Sequence, residues 1–182
     1  MKHIIIVILV FLTGQVFAQE FENLAVGEQA ENFVLKTLQG DEIELAKMIK
    51  KKEIVLVVLR GWPGYQCPIC TRQVGRFLED ADIFAEMGVA VLMVYPGPSD
   101  VMQDRANEFI KDFKFPDNFF LTLDPDYTMI NKYGLRWDEP KETAYPSTFV
   151  IDKKGKIVYS KISKKHGGRA KANDVFDVLE KL

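Results

Sequence analysis

The chain has 182 residues, of which 47% are hydrophobic and 27% charged. That is enough apolar material for a core, which excludes intrinsic disorder, and the length fits one domain. Lys and Arg number 24 against 26 Asp and Glu, so no basic excess is present to neutralise a phosphate backbone, and nucleic acid is not an expected partner. With two cysteines and two histidines a zinc cluster cannot be assembled, and no metal or other cofactor is expected.

In chain order, Lys2 and His3 give a short polar start, Ile4 to Leu12 is an unbroken apolar run, and Val16-Phe17-Ala18 places small residues before Gln19. This is the layout of a secretory signal peptide (residues 1–18, cleaved after Ala18), and the run is too short for a membrane span. No Cys lies near the cut, so no lipid anchor is expected. Removing 18 of the 182 residues leaves 164 (19–182), and the loss of Lys2 takes the net charge from −2 to −3. The mature protein is expected to be exported, periplasmic or secreted, without membrane insertion, in a compartment that permits disulfides.

Alternation over Phe33–Leu38 and Glu42–Leu45, around Gln39-Gly40-Asp41, predicts an N-terminal β-hairpin. Ile54–Leu59 is a continuous β-branched apolar run, the mark of a strand buried on both faces, and Gly61-Trp62-Pro63-Gly64 breaks it. From Cys70 to Met87 apolar residues recur at three and four, predicting one amphipathic helix ended by Gly88. Val89–Tyr95 is a second buried strand. A helix follows, capped by Ser99 or Asp100 and reaching Phe113; then come a strand at Phe119–Leu123, a helix from Pro125 to Tyr133 and a polar loop from Arg136 to Tyr145. Ser147–Ile151 and Lys156–Ser160 form a hairpin, and Asn173–Leu182 is a closing helix. Strands alternating with helices predict an α/β fold, a central mixed sheet flanked by helices on both faces.

Cys67-Pro68-Ile69-Cys70 falls between a buried strand and a helix start. Amide N–H groups at a helix N-terminus favour a thiolate, the reactive form. The spacing lets one sulfur attack a disulfide and the other release the mixed species by internal closure. A metal site lacks ligands, and a static disulfide closing so short a loop constrains the unfolded chain little. Redox chemistry is the favoured reading.

The stretches Gly27–Leu35, Leu123-Asp124-Pro125, Asn131–Leu135 and Tyr145–Asp152 resemble thioredoxin-fold redoxins. The likeness is closest to the alkyl hydroperoxide reductase/thiol-specific antioxidant group, the peroxiredoxin-like redoxins, and spans almost the whole mature chain. The resemblance implies a thioredoxin-like fold and thiol-based redox activity. Pro63-Gly64-Tyr65-Gln66-Cys67-Pro68-Ile69-Cys70 fits the peroxiredoxin pattern Pro-x-x-x-Thr-x-x-Cys with Cys67 at the Thr position. Where that family places an activating Arg stands Pro146, the thioredoxin arrangement, which implies a cis-proline lying against the dithiol.

Three functions follow. In a thiol–disulfide oxidoreductase, Cys67 is the exposed nucleophile and Cys70 resolves. In a peroxidase acting on hydrogen peroxide or alkyl hydroperoxides, Cys70 attacks and Cys67 condenses with the sulfenic acid. The third reading is a binding module with an inert disulfide. Either enzyme needs an external thiol reductant, with protein thiols and disulfides or a hydroperoxide as substrate. Arg60 is a candidate to hold a thiolate or a peroxide oxygen. Trp62 and Tyr65 are candidates for an apolar lip, and Pro68 restricts the turn between the sulfurs. Arg72, Arg76, His166 and the basic run Lys164–Arg169 read as solvated, and Asp124 reads as a helix cap.

Overall fold

The structure, a computed structural model, describes residues 21–182, so the predicted signal peptide lies outside the described residues. Strands β1 (Val34–Thr37), β2 (Glu42–Glu44), β3 (Ile54–Val58), β4 (Ala90–Gly97), β5 (Phe119–Pro125), β6 (Ser147–Ile151) and β7 (Ile157–Ile162) form one sheet in the order β2-β1-β5-β4-β3-β6-β7. The central pairs β3/β4 and β4/β5 are parallel, and β1, β6 and β7 join antiparallel. The mixed sheet and the N-terminal hairpin are therefore as the sequence pattern predicts.

The all-apolar run of β3 is buried along its whole length because helices cover both faces. On one side lie α2 (Pro68–Glu79), α3 (Ala81–Glu86), α4 (Ser99–Ile110) and α6 (Ala172–Leu179), packing Val74, Phe77, Phe84, Met102 and Val175 over Val55, Val57, Val91 and Met93. On the other, α1 (Leu45–Met48) and α5 (Thr128–Lys132) bring Leu45, Met129 and Ile130 against Leu56, Leu92 and Phe149.

Several boundaries differ from expectation. The helix predicted from Cys70 to Met87 is two helices: Asp80 (φ −98°, ψ 15°) leaves the helical region for one residue. The change of direction seats Phe84 among Phe77, Phe119 and Phe176, with ring centroids 4.7–5.7 Å apart. Neither Ser99 nor Asp100 caps α4; its N-cap is Pro98, and the Ser99 N–H donates to Asp126 Oδ1 at 3.1 Å. Pro125 ends β5 instead of opening a helix. The turn at Asp126 and Tyr127 (φ 54° and 63°) delays α5 to Thr128, and buried Asp124 accepts the N–H groups of Met129 and Ile130 at 2.8 and 2.9 Å. The capping role read for Asp124 stands, displaced along the chain.

Candidate active site

The two cysteines open α2 where the chain leaves β3. Gly61 turns it there with φ 71°, a conformation open to glycine. The same position has no room for a side chain, because a Cβ would lie 1.9 Å from the carbonyl oxygen of Pro96 on β4. The Trp62 N–H donates to that oxygen at 3.0 Å. Gln66, just before the motif, is held from both ends: its Nε2 donates to the Arg105 carbonyl at 2.8 Å, and its Oε1 accepts the Tyr95 hydroxyl at 3.0 Å. Cys67 is then the N-cap of α2, half-buried Pro63 lies in the turn before it, and exposed Pro68 stands in the first turn, where a missing N–H costs nothing.

The sulfurs are unequal. Cys70 has no exposed surface, and Cys67 only 2%. The expectation of an exposed Cys67 is thus corrected: loop and helix side chains close over it. Hydrogen bonding from the Cys70 thiol is the largest influence on Cys67. The backbone N–H of Cys70, the charge of Arg169 and hydrogen bonding from Arg60 act in the same direction, and against the opposing effect of burial they bring the Cys67 thiol down to about 5. Burial first, and then donation to Cys67, push the Cys70 thiol well up, with Arg169 opposing.

Arg169 is the residue that sequence reasoning missed. Its Nη1 donates to Cys70 Sγ at 3.3 Å and to Gln73 Oε1 at 2.9 Å, and its Nη2 lies 3.9 Å from Cys67 Sγ. The basic run 164–169, read as solvated, therefore ends in a guanidinium turned into the site. The loop braces itself to hold it there: Arg169 Nε donates to the His166 carbonyl at 2.9 Å, and Ser163 Oγ bonds the carbonyls of Lys165 and Gly167.

Arg60 is buried at 2% exposure, not a surface residue. Its guanidinium donates to Glu142, to the Tyr65 hydroxyl at 2.7 Å and to the Lys141 carbonyl at 2.6 Å. Glu142, from the loop read only as polar, also meets His166 Nε2 at 2.7 Å, and Arg60 and His166 hold its carboxyl below the usual range against burial. A chain of polar contacts thus runs from Tyr65 through Arg60, Glu142 and His166 to the loop that carries Arg169. His166 is exposed as expected, yet partnered.

Trp62 is half-buried against the core, with the Arg105 guanidinium 4.7 Å from its ring centroid. Tyr65 is exposed, 43%, as a lip residue would be. Arg72 and Arg76 are exposed on α2. Pro146 is buried just before Ser147, which pairs with Val58 beside the start of the active loop. The cis geometry implied for it is absent, since the described residues contain no cis peptide bond. Among the described residues no helix is long and apolar enough to cross a membrane.

Comparison with known proteins decides the family. Residues 26–160 match the AhpC/TSA family. The chain belongs to that family. It is 29% identical over 163 residues to the thiol-disulfide oxidoreductase ResA of Bacillus cereus, covering 84% of this chain and 83% of the relative. ResA of Bacillus subtilis is 28% identical over 137 residues, 75% and 67% of the two chains. Among solved structures, the peroxidoxin BcpB of Mycobacterium tuberculosis superposes with a TM-score of 0.70 at 21% identity, covering 87% of this chain and 98% of that one. A putative thiol:disulfide interchange protein DsbE of Chlorobium tepidum gives 0.63 at 19%, covering 86% and 99%. The thioredoxin-like fold is as the resemblance implied, and AhpC/TSA membership together with the dithiol bears out a thiol-disulfide redox enzyme over an inert binding module.

Proposed function

We propose that the chain is an exported thiol–disulfide exchange enzyme in which Cys67 attacks and Cys70 resolves. The observation that carries this reading is the placement of the two sulfurs under one guanidinium, Cys67 at the N-cap of α2 and Cys70 fully buried inside it, which draws Cys67 towards thiolate and keeps Cys70 protonated. In the forward step the Cys67 thiolate attacks one sulfur of a substrate disulfide. That S–S bond breaks, one substrate thiolate leaves and takes a proton from solvent, and a mixed disulfide remains on Cys67.

Cys67 has then lost its charge, and two influences that keep Cys70 protonated vanish with it: donation to Cys67 and repulsion by it. Arg169, already 3.3 Å from Cys70 Sγ, now favours the Cys70 thiolate. Cys70 gives up its proton, its thiolate attacks Cys67 Sγ and closes the Cys67–Cys70 bond, and the second substrate thiolate is expelled and takes up a proton. The substrate gains two electrons from the dithiol, and an external thiol reductant, itself oxidised, supplies two electrons to the Cys67–Cys70 disulfide to restore it.

A specific observation speaks to the peroxidase reading as well. Arg169 supplies beside Cys70 the guanidinium that Pro146 displaces elsewhere. That reading needs Cys70 as the attacking thiolate, however, and a fully buried sulfur with its proton held on is poorly suited to meet a peroxide.

The exchange reading is tested by trapping. Cys70→Ser accumulates mixed disulfides on Cys67, and Cys67→Ser accumulates none; adducts on Cys70 in Cys67→Ser would reject it. Arg60, Trp62, Pro63, Pro68 and Pro146 act in this reading by shaping the loop around Cys67. Export rests on the residue pattern of 1–18 with 19–182 as the mature domain; mass spectrometry of the protein from its source cells should find an N-terminus at Gln19.

A further inference from the structure

Beside the motif a groove of about 480 Å³ runs between α2 and the segment 167–173. That is the size of a small-molecule site. Its walls are unevenly charged. Ile69, inside the motif, lines one end, followed by Arg72 and Arg76 on α2, with Arg169 and Lys171 opposite; Glu79 and Asp80 come only at the far end. At 1.5 Å per residue, Arg72 and Arg76 stand roughly 5 and 10 Å along the helix from Ile69, and Asp80 roughly 16 Å. Neither arginine makes an ion pair or hydrogen bond among the described residues, and Gln73 Nε2, buried in the same wall, also lacks a partner. Neither cysteine lines the groove; Arg169 joins it to the reaction centre, because this residue lines the groove and its guanidinium reaches both sulfurs.

We propose that this groove seats a low-molecular-weight disulfide bearing carboxylates, its sulfurs at Cys67 at the groove's end and the carboxylate that extends into the groove held by Arg72 and Arg76. The proposal rests on the exchange reading and names its substrate class. The short reach of positive charge, closed off by Glu79 and Asp80, matches a small dianion and repels a long acidic polypeptide. The products are two carboxylate-bearing thiols and the Cys67–Cys70 disulfide, formed by the two-electron exchange written above.

The test compares three alkyl disulfides of one reactive type: dianionic 3,3′-dithiodipropionate, neutral hydroxyethyl disulfide and dicationic cystamine. Rates are normalised to those with free dithiothreitol. At low ionic strength the dianion should outrun the dication by on the order of tenfold. In Arg72→Gln/Arg76→Gln the ratio of dianion to dication rates should fall below about threefold, and in Lys153→Gln/Lys154→Gln, on a remote turn, it should stay at the wild-type value. An unchanged ratio in the arginine variant, or an equal fall in the lysine variant, overturns the groove. Suberate, which has the length and charges of dithiodipropionate without the sulfurs, separates the two claims. It should shift the guanidinium NMR signals of Arg72 and Arg76 whether or not exchange occurs, and no shift at millimolar suberate also overturns the proposal. A neutral disulfide left unreduced by the wild type, with suberate still bound, would reject the exchange reading alone.

Discussion

At Cys67 hydrogen bonding from Cys70, helped by its backbone N–H and the nearby Arg169 and Arg60, outweighs burial. A guanidinium 3.9 Å from the Cys67 sulfur is worth up to about 4 kcal/mol to its thiolate at an effective dielectric near 20, before the cost of desolvation. Arg169→Gln should therefore raise the pH at which Cys67 becomes reactive. It should also slow closure of the mixed disulfide by on the order of tenfold, because resolution depends on the same group. Stopped-flow alkylation and single-turnover quench measure the two effects separately, and Arg169→Lys should restore part of each. The cysteine pair was legible in the sequence because its chemistry is written within four consecutive residues. Arg169 was not, since it lies 99 positions from Cys70 in a run of Lys, His and Gly that has every local mark of a solvated turn. Glu142 was hidden in the same way, 82 positions from the Arg60 it partners.

At the scale of elements, the site depends on a tight crossing between the loop after β3 and the end of β4. Gly61→Ala forces a Cβ into the Pro96 carbonyl and a left-handed backbone onto alanine. It should cost about 2–4 kcal/mol in urea unfolding and lower exchange activity with it. Asp124→Ala should cost about 1–3 kcal/mol, because two N–H groups of α5 lose their acceptor in a buried setting. Buried strands and glycine stops could be read directly, since continuous β-branched runs and Gly88 leave few alternatives. The break at Asp80 could not. The apolar period carries across one non-helical residue, and what favours the break is aromatic packing of Phe84 with partners as distant in sequence as Phe119 and Phe176.

For the molecule as a whole, the lowered Cys67 thiol links redox state, pH and stability. Between about pH 5 and the ordinary cysteine value of about 8.5, the reduced folded protein carries a thiolate where the unfolded chain carries a thiol. The unfolded state then binds the extra proton, so reduced-state stability rises with pH across that window and is lost as pH falls through about 5. Urea unfolding in the presence of reductant should show wild type gaining on Cys67→Ser as pH rises from 5 to 8. A gap that stays flat or narrows would mean that the thiolate is not stabilised by the fold. The same stabilisation of the reduced form makes the Cys67–Cys70 disulfide readily reduced, which suits an enzyme that must be reset after each turnover.

The most direct measurement is site-resolved alkylation of the reduced protein with iodoacetamide from pH 4 to 9, each adduct located by mass spectrometry. Cys67 should be modified first, with its rate half-maximal near pH 5 and level above it, and Cys70 should stay unmodified until the protein unfolds. Modification of Cys70 first, or a Cys67 midpoint near the ordinary cysteine value, would contradict the account.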